Sequence, residues 1–125
     1  MSHMVSVKDI EITSLSALQK ACERIGAKLN TNRKQATYFA GRTAAVDATI
    51  DVPGSKWQIG LVKNENSSYE LQADFYGVEG GKLKAVVDKL KQYYPIEVAK
   101  EVARKKGYTV TEKHLQNGAI KLILS

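Results

Sequence analysis

The chain has 125 residues, 43% hydrophobic and 26% charged, a balance that fits one globular domain over residues 1–125 with a single hydrophobic core. No stretch approaches the ~20 apolar residues that a membrane-crossing helix needs, so no membrane partner is expected. One cysteine excludes an internal disulfide and any multi-thiolate zinc site, and 19 basic against 13 acidic side chains leave a formal charge of +6, which admits an anionic partner without requiring one.

Met1-Ser2-His3-Met4 has neither the layout of a secretory signal nor that of a transit peptide, so a cytoplasmic, reducing location is expected. Residues 1–4 read as a flexible end, and Ser-His-Met also matches a cloning scar. Val5 to Ile12 alternates apolar and polar residues and predicts a strand. A helix over about 14–25 follows: Thr13 or Ser14 is a suitable N-cap, Leu15, Leu18, Cys22 and Ile25 recur at helical spacing, and Gly26 suits the left-handed stop. Cys22 therefore reads as a small buried hydrophobe rather than a nucleophile.

Gln35 to Ala40 predicts a further strand that turns at Gly41. Ala44 to Val52 predicts another, with Val46, Ala48, Ile50 and Val52 on one side and Ala45, Asp47, Thr49 and Asp51 on the other. Pro53-Gly54 fits the centre of a type II turn. Trp57 to Lys63 and Tyr69 to Tyr76 continue the meander across the polar loop 64–68, with Trp57, Tyr69 and Phe75 expected to pack as a core row. After the break at Gly77 to Gly81, Leu83, Val86, Val87 and Leu90 recur at helical spacing. Pro95 predicts either a kink or a stop near Tyr93 and a second helix ending at Gly107. Tyr108 to His114 and Ala119 to Leu124 flank Asn117-Gly118, a type I′ hairpin signal. The order β-α-β-β-β-β-α-α-β-β, with short connections, predicts an α+β fold: an antiparallel sheet, meander plus C-terminal hairpin, with helices packed on one face.

Three sets of residues carry candidate chemistry. Asp47, Asp51, Glu70 and Asp74 share parity on neighbouring strands, and carboxylates brought together there bind hard divalent cations; Glu70, Asp74 and Asp47 are the candidate metal ligands. A solvated sheet face explains them more simply, and Asp47 and Asp51 are roughly 13 Å apart along a strand. Lys82, Lys84, Lys89, Lys91, Lys100, Arg104, Lys105 and Lys106 make the C-terminal helices basic. Lys82, Lys89, Lys91, Lys100, Arg104, Lys105 and Lys106 are the candidate nucleic-acid contacts, although a solvated helix surface again accounts for them. Tyr76, Tyr93 and Tyr94 are candidate contacts for a partner protein. His3 and His114 have no catalytic partner in view, and neither a phosphate-binding glycine loop nor a nucleophile elbow is present, so no catalytic residue and no cofactor are assigned.

Several short segments resemble a known family. These are Met1-Ser2-His3, the Gly41-Arg42-Thr43 turn running into Val46-Asp47-Ala48-Thr49-Ile50, Trp57-Gln58-Ile59-Gly60-Leu61 with Asn64, and Tyr69-Glu70-Leu71-Gln72-Ala73-Asp74-Phe75-Tyr76-Gly77-Val78. Tyr93-Tyr94, Gly107-Tyr108-Thr109-Val110 and Asn117-Gly118-Ala119-Ile120-Lys121-Leu122 continue the likeness to the C-terminus. Together they resemble hypothetical chloroplast open reading frame thirty-five, a family of small proteins of cyanobacteria, plastid genomes and other bacteria whose domain is of unknown function. The chain departs from it in having Phe75-Tyr76 where a tryptophan pair is usual and in ending at Ser125 before an expected aromatic, as a divergent bacterial or phage relative would. The resemblance implies a small soluble protein of undetermined activity and carries over no catalytic residue.

Three readings follow. The first is a non-catalytic accessory or adaptor protein that binds another protein or a second copy of itself through exposed sheet edges. The second is nucleic-acid binding through the basic helices, and the third is a metal-dependent enzyme using Glu70 and Asp74.

Overall fold

A computed structural model describes residues 4–125, so the readings of Met1-Ser2-His3 lie outside the described residues. The N-terminal segment forms β1 (Val5–Ile12), but not as one regular alternation: its pairing shifts register between Val7 and Glu11, which lets Val7, Ile10 and Ile12 all be buried. Ser14 then caps α1 (Leu15–Arg24): its backbone is extended and its side chain accepts the Ala17 N–H at 3.1 Å. Leu18 and Cys22 are buried on the inner stripe of α1, and burial pushes the Cys22 thiol up to about 12. Gly26, at φ +77, turns the chain into a short strand that the sequence pattern did not reveal, β2 (Lys28–Asn30).

The meander comprises β3 (Gln35–Thr37), a single 3-10 turn at Phe39–Gly41, β4 (Thr43–Ala45), β5 (Ala48–Asp51), β6 (Gln58–Lys63) and β7 (Tyr69–Ala73). The long helix α2 (Gly77–Lys105) and the hairpin β8 (Val110–His114) and β9 (Ile120–Leu124) complete the chain. The main sheet runs β1-β7-β6-β5-β2 with every neighbouring pair antiparallel. Ile50, Ile59, Leu61 and Leu71 project from it into a core closed by Leu18 and Cys22 of α1 and by Leu83, Val87 and Leu90 of α2. The α+β class is the one predicted, and the predicted elements follow one another in the predicted order, with β2 added, β4 and β5 in place of one strand, and the two C-terminal helices joined into one.

Three further local features differ from the sequence reading. The segment 44–52 is not one strand, because the chain breaks at Val46-Asp47 and Val46 crosses to the outer face. Gly60 alternates with the buried Ile59 and Leu61, and a Cβ on it would meet Val46 Cγ1 at 2.6 Å and the Ala36 Cβ at 3.6 Å. Val46 therefore packs with Ala36 on the side away from Ile50. The small β3–β4 sheet roofs part of the face expected to be wet, where Thr49 and Gln58 are buried. Gln58 fastens that roof: its Oε1 accepts the Thr37 N–H at 2.8 Å while its Nε2 donates to the Lys56 carbonyl at 3.1 Å.

The second difference is α2, which runs unbroken through Pro95. Proline has no N–H, so the Lys91 carbonyl loses its helical donor, but packing on both sides of Pro95 carries the helix on. Third, the Asn117-Gly118 loop is not type I′, which needs positive φ at both central residues. Only Gly118 has it, at φ +84; Gly118 N–H donates to the Leu115 carbonyl at 3.1 Å and Leu115 N–H to the Ala119 carbonyl at 2.9 Å. This is a three-residue loop closed by a glycine bulge.

Candidate functional site

Three exposed large apolar side chains, Phe39, Tyr76 and Val78, gather with the half-buried Trp57 where the chain enters β4, β6 and α2. Phe39 comes from the 3-10 turn, Trp57 from the residue before β6, and Tyr76 and Val78 from the start of α2. Ala40 holds the turn in the left-handed region, φ 58 and ψ 30, a conformation that costs a non-glycine residue about 1 kcal/mol or more. The reversal is fixed by Tyr38 N–H to the Arg42 carbonyl at 2.8 Å and Arg42 N–H to the Phe39 carbonyl at 3.2 Å, and it sets Phe39 between two other rings. Phe39 meets Trp57 edge to face at 6.4 Å between centroids and 80°, and Tyr76 at 5.6 Å and 88°. Each such pair contributes about 0.5–1.5 kcal/mol beyond its buried area.

The three rings, Gly77, Val78 and Glu79 line an almost wholly apolar depression of about 210 Å³. Tyr76 is 57% exposed and Val78 81%, so this surface is offered to solvent rather than folded into the core. Its rim is polar and ordered: Glu79 accepts from Lys82 at 2.8 Å and from Ser55 at 2.7 Å, and both hydrogen bonds hold its carboxyl below the usual range. Lys82 also donates to the Gly54 carbonyl at 2.7 Å. An apolar floor with a polar rim is the anatomy of a protein contact surface.

Of the tyrosines singled out from sequence, only Tyr76 lies here. Tyr94 is buried and its hydroxyl accepts the backbone N–H groups of Thr13 and Ser14 at 2.8 and 3.1 Å, the entry to α1. Tyr93 is half-buried beneath the Arg24 guanidinium, 4.5 Å above its ring. These two side chains are spent inside the fold. Phe39 falls within the strand predicted over 35–40, beside Tyr38, where no periodicity marks it as exposed, and the sequence pattern assigns Trp57 to the core. Trp57, Tyr69 and Phe75 do pack against the core, but all three are only partly buried.

The carboxylates Glu70, Asp74 and Asp47 are not brought together. Asp47 Oδ2 accepts the Lys63 N–H at 2.7 Å at one edge of β6, while Glu70 lies on β7 beyond it, roughly two strand spacings or ~10 Å away. Glu70 pairs with Lys8 at 3.7 Å. Asp74 is buried; its Oδ1 accepts the Tyr76 N–H at 3.0 Å and its Oδ2 has no hydrogen-bond partner. Among the described residues no three His, Cys, Asp or Glu side chains converge as metal ligands.

The basic residues of α2 divide in the same way. Lys82 is held at the rim of the aromatic depression, Lys91 pairs with Asp9 at 2.8 Å, and Lys100 is bound to Glu112 at 2.8 Å and Glu97 at 3.4 Å. Lys89, Arg104, Lys105 and Lys106 are exposed and make no ion pair among the described residues. Arg104 borders a groove of about 500 Å³ whose other walls are Lys20, Glu23, Arg24, Glu97, Lys100 and Glu112. Mixed charges compensate one another in that groove, which gives it no single-sign field for a phosphate backbone.

A basic α+β protein results, in which a five-stranded antiparallel sheet carries two helices and a separate hairpin, with an exposed aromatic depression at the start of the long helix. No helix among the described residues is long and apolar enough to cross a membrane. The chain belongs to the family described as Protein of unknown function (DUF1257), whose profile matches residues 21–123, from within α1 to within β9. No curated protein and no solved structure matches it.

Proposed function

We propose that the chain is a single-domain, non-catalytic accessory protein that works by binding another protein, and that Phe39, Trp57, Tyr76 and Val78 are the contact surface. The observation that carries this reading is the exposure of Tyr76 and Val78 beside two further aromatic rings, in a depression with almost no polar lining. Aromatic side chains in such settings bury much area at low entropic cost and dominate binding energy. The resemblance to hypothetical chloroplast open reading frame thirty-five, as a divergent bacterial or phage member, and a cytoplasmic setting belong to the same proposal.

Trp57 is the only tryptophan, so its emission reports on this surface directly. A photo-crosslinking amino acid at Val78 should capture one dominant protein in a lysate of the source cell, and Tyr76→Ser should abolish the adduct. With the captured protein purified, its addition should shift the Trp57 emission. If the probe at Val78 captures no more than the same probe at Lys89, the proposal fails.

A further inference from the structure

The hairpin β8–β9 is a two-stranded ribbon separate from the main sheet, and β9 has no strand partner other than β8 among the described residues. Such ribbons are marginal in water by themselves. The outer strand, Ile120-Lys121-Leu122-Ile123-Leu124, is four-fifths aliphatic, with Ile123 43% and Leu124 47% exposed. A single lysine, no proline and no bulge leave its edge with little of the protection that isolated edges normally carry.

The phase of the ladder shows which backbone groups remain open. Thr109 and Ser125 exchange both hydrogen bonds, at 2.9 and 3.0 Å, so they form a hydrogen-bonded pair. Such pairs alternate along an antiparallel ladder, which makes Thr111 with Ile123 and Lys113 with Lys121 the next two. Ile120, Leu122 and Leu124 therefore aim their N–H and C=O groups away from β8, toward the open edge. These are three donors and three acceptors in a row.

We propose that this edge pairs with the same edge of a second copy, through a two-fold axis at Leu122, so that two hairpins join into a four-stranded antiparallel sheet. The register satisfies every open group. Leu122 faces Leu122 and each Ile120 faces the other copy's Leu124, all as hydrogen-bonded pairs, giving six new hydrogen bonds. Lys121 falls opposite Ile123 in the non-hydrogen-bonded positions, so no lysine faces a lysine across the seam. A two-fold interface must be self-complementary, and this sequence is so in hydrogen-bond phase, apolarity and charge together. The ladder alone is small beside the ~1,200 Å² of a standard interface, so the dimer dissociates on dilution.

Dimerisation through β9 does not involve the aromatic surface, so Tyr76→Ser should dimerise as the unmodified chain does. Sedimentation equilibrium of the full chain should show twice 13.8 kDa at high concentration, with the amides of Ile120, Leu122 and Leu124 becoming protected from hydrogen exchange as the dimer forms. Leu122→Pro deletes an N–H that points to the open edge, so it should give a monomer whose hairpin persists, read from protection of the Thr109 and Ser125 amides. Ile123→Pro deletes an N–H that points to β8 and should cost the hairpin itself. A monomer at millimolar concentration, a dimer in which those three β9 amides exchange freely, or a Leu122→Pro dimer as tight as the unmodified one overturns the proposal.

Discussion

The Arg24 guanidinium donates two parallel hydrogen bonds, each 2.9 Å, to the two carboxylate oxygens of Glu112, joining the last turn of α1 to the first strand of the hairpin. The same Nη1 reaches Glu97 of α2 at 2.9 Å, and Lys100 closes the square by binding both acids. The Glu97 side chain is only 4% exposed, so its charge relies on these two cations. Forked contacts of this kind fix orientation as well as adding energy.

Arg24→Ala should therefore destabilise the protein by about 3 kcal/mol, since it strips a buried carboxylate of its principal partner. Chemical denaturation measures the loss, and Arg24→Lys should recover only part of it because the fork cannot be rebuilt.

Acid should loosen the same junction. Hydrogen bonds from Lys100, and then from Arg24, hold the Glu112 carboxyl down at about 2, from the usual 4.5. A carboxylate lowered on folding contributes stability that is full above the unfolded value and is lost as pH falls through the folded one. Protection of the hairpin amides, taken relative to the intrinsic exchange rate at each pH, should thus be constant above about pH 4.5 and fall progressively toward pH 2. In Glu112→Gln that fall should be absent, with protection already reduced at neutral pH.

Tyr94→Phe should cost about 1–2 kcal/mol, because the backbone N–H groups of Thr13 and Ser14 lose their shared acceptor at the start of a helix. The ring packing is retained, so a thermal melt isolates the hydroxyl's share.

Adjacent glycines in α2 should respond in opposite ways. A Cβ on Gly80 would collide with the backbone carbonyl of Phe75, whereas one on Gly81 meets nothing within 4 Å. Gly80→Ala should lower stability by about 2 kcal/mol or more and disturb Tyr76, while Gly81→Ala should raise it by about 0.5–1 kcal/mol through helix propensity. Paired denaturation curves test both signs.

Periodicity carried most of the fold into view. The stripe of Leu18 and Cys22 and the alternation of Ile59 with Leu61 each have a single geometry that buries them, and the structure adopts it, whereas β1 buries Val7 together with Ile10 and Ile12 only through a register shift between Val7 and Glu11. Where the pattern misled, a local backbone turn outweighed it: the break at Val46-Asp47 reverses parity, so Val46 and Ile50 lie on opposite faces although both are even-numbered. β2 is three residues long, too short to display a period. The aromatic surface was legible only at Tyr76. Phe39, Trp57 and Val78 lie on different connections, far apart in sequence, and their proximity depends on the turn at Ala40 and on the close approach of Gly80 to Phe75. Tyr93 and Tyr94 pointed elsewhere because side-chain direction on a helix is decided by its neighbour, here α1.

The unbroken passage of α2 through Pro95 sets the separation between the two surfaces of this molecule. A 29-residue helix measures ~43 Å at 1.5 Å per residue, with Val78 in its first turn and the hairpin held along its second half, by Gln92 at its turn and Lys100 at Glu112. A body seated on the aromatic end leaves the far strand uncovered, and one molecule has room to hold a guest and a twin simultaneously.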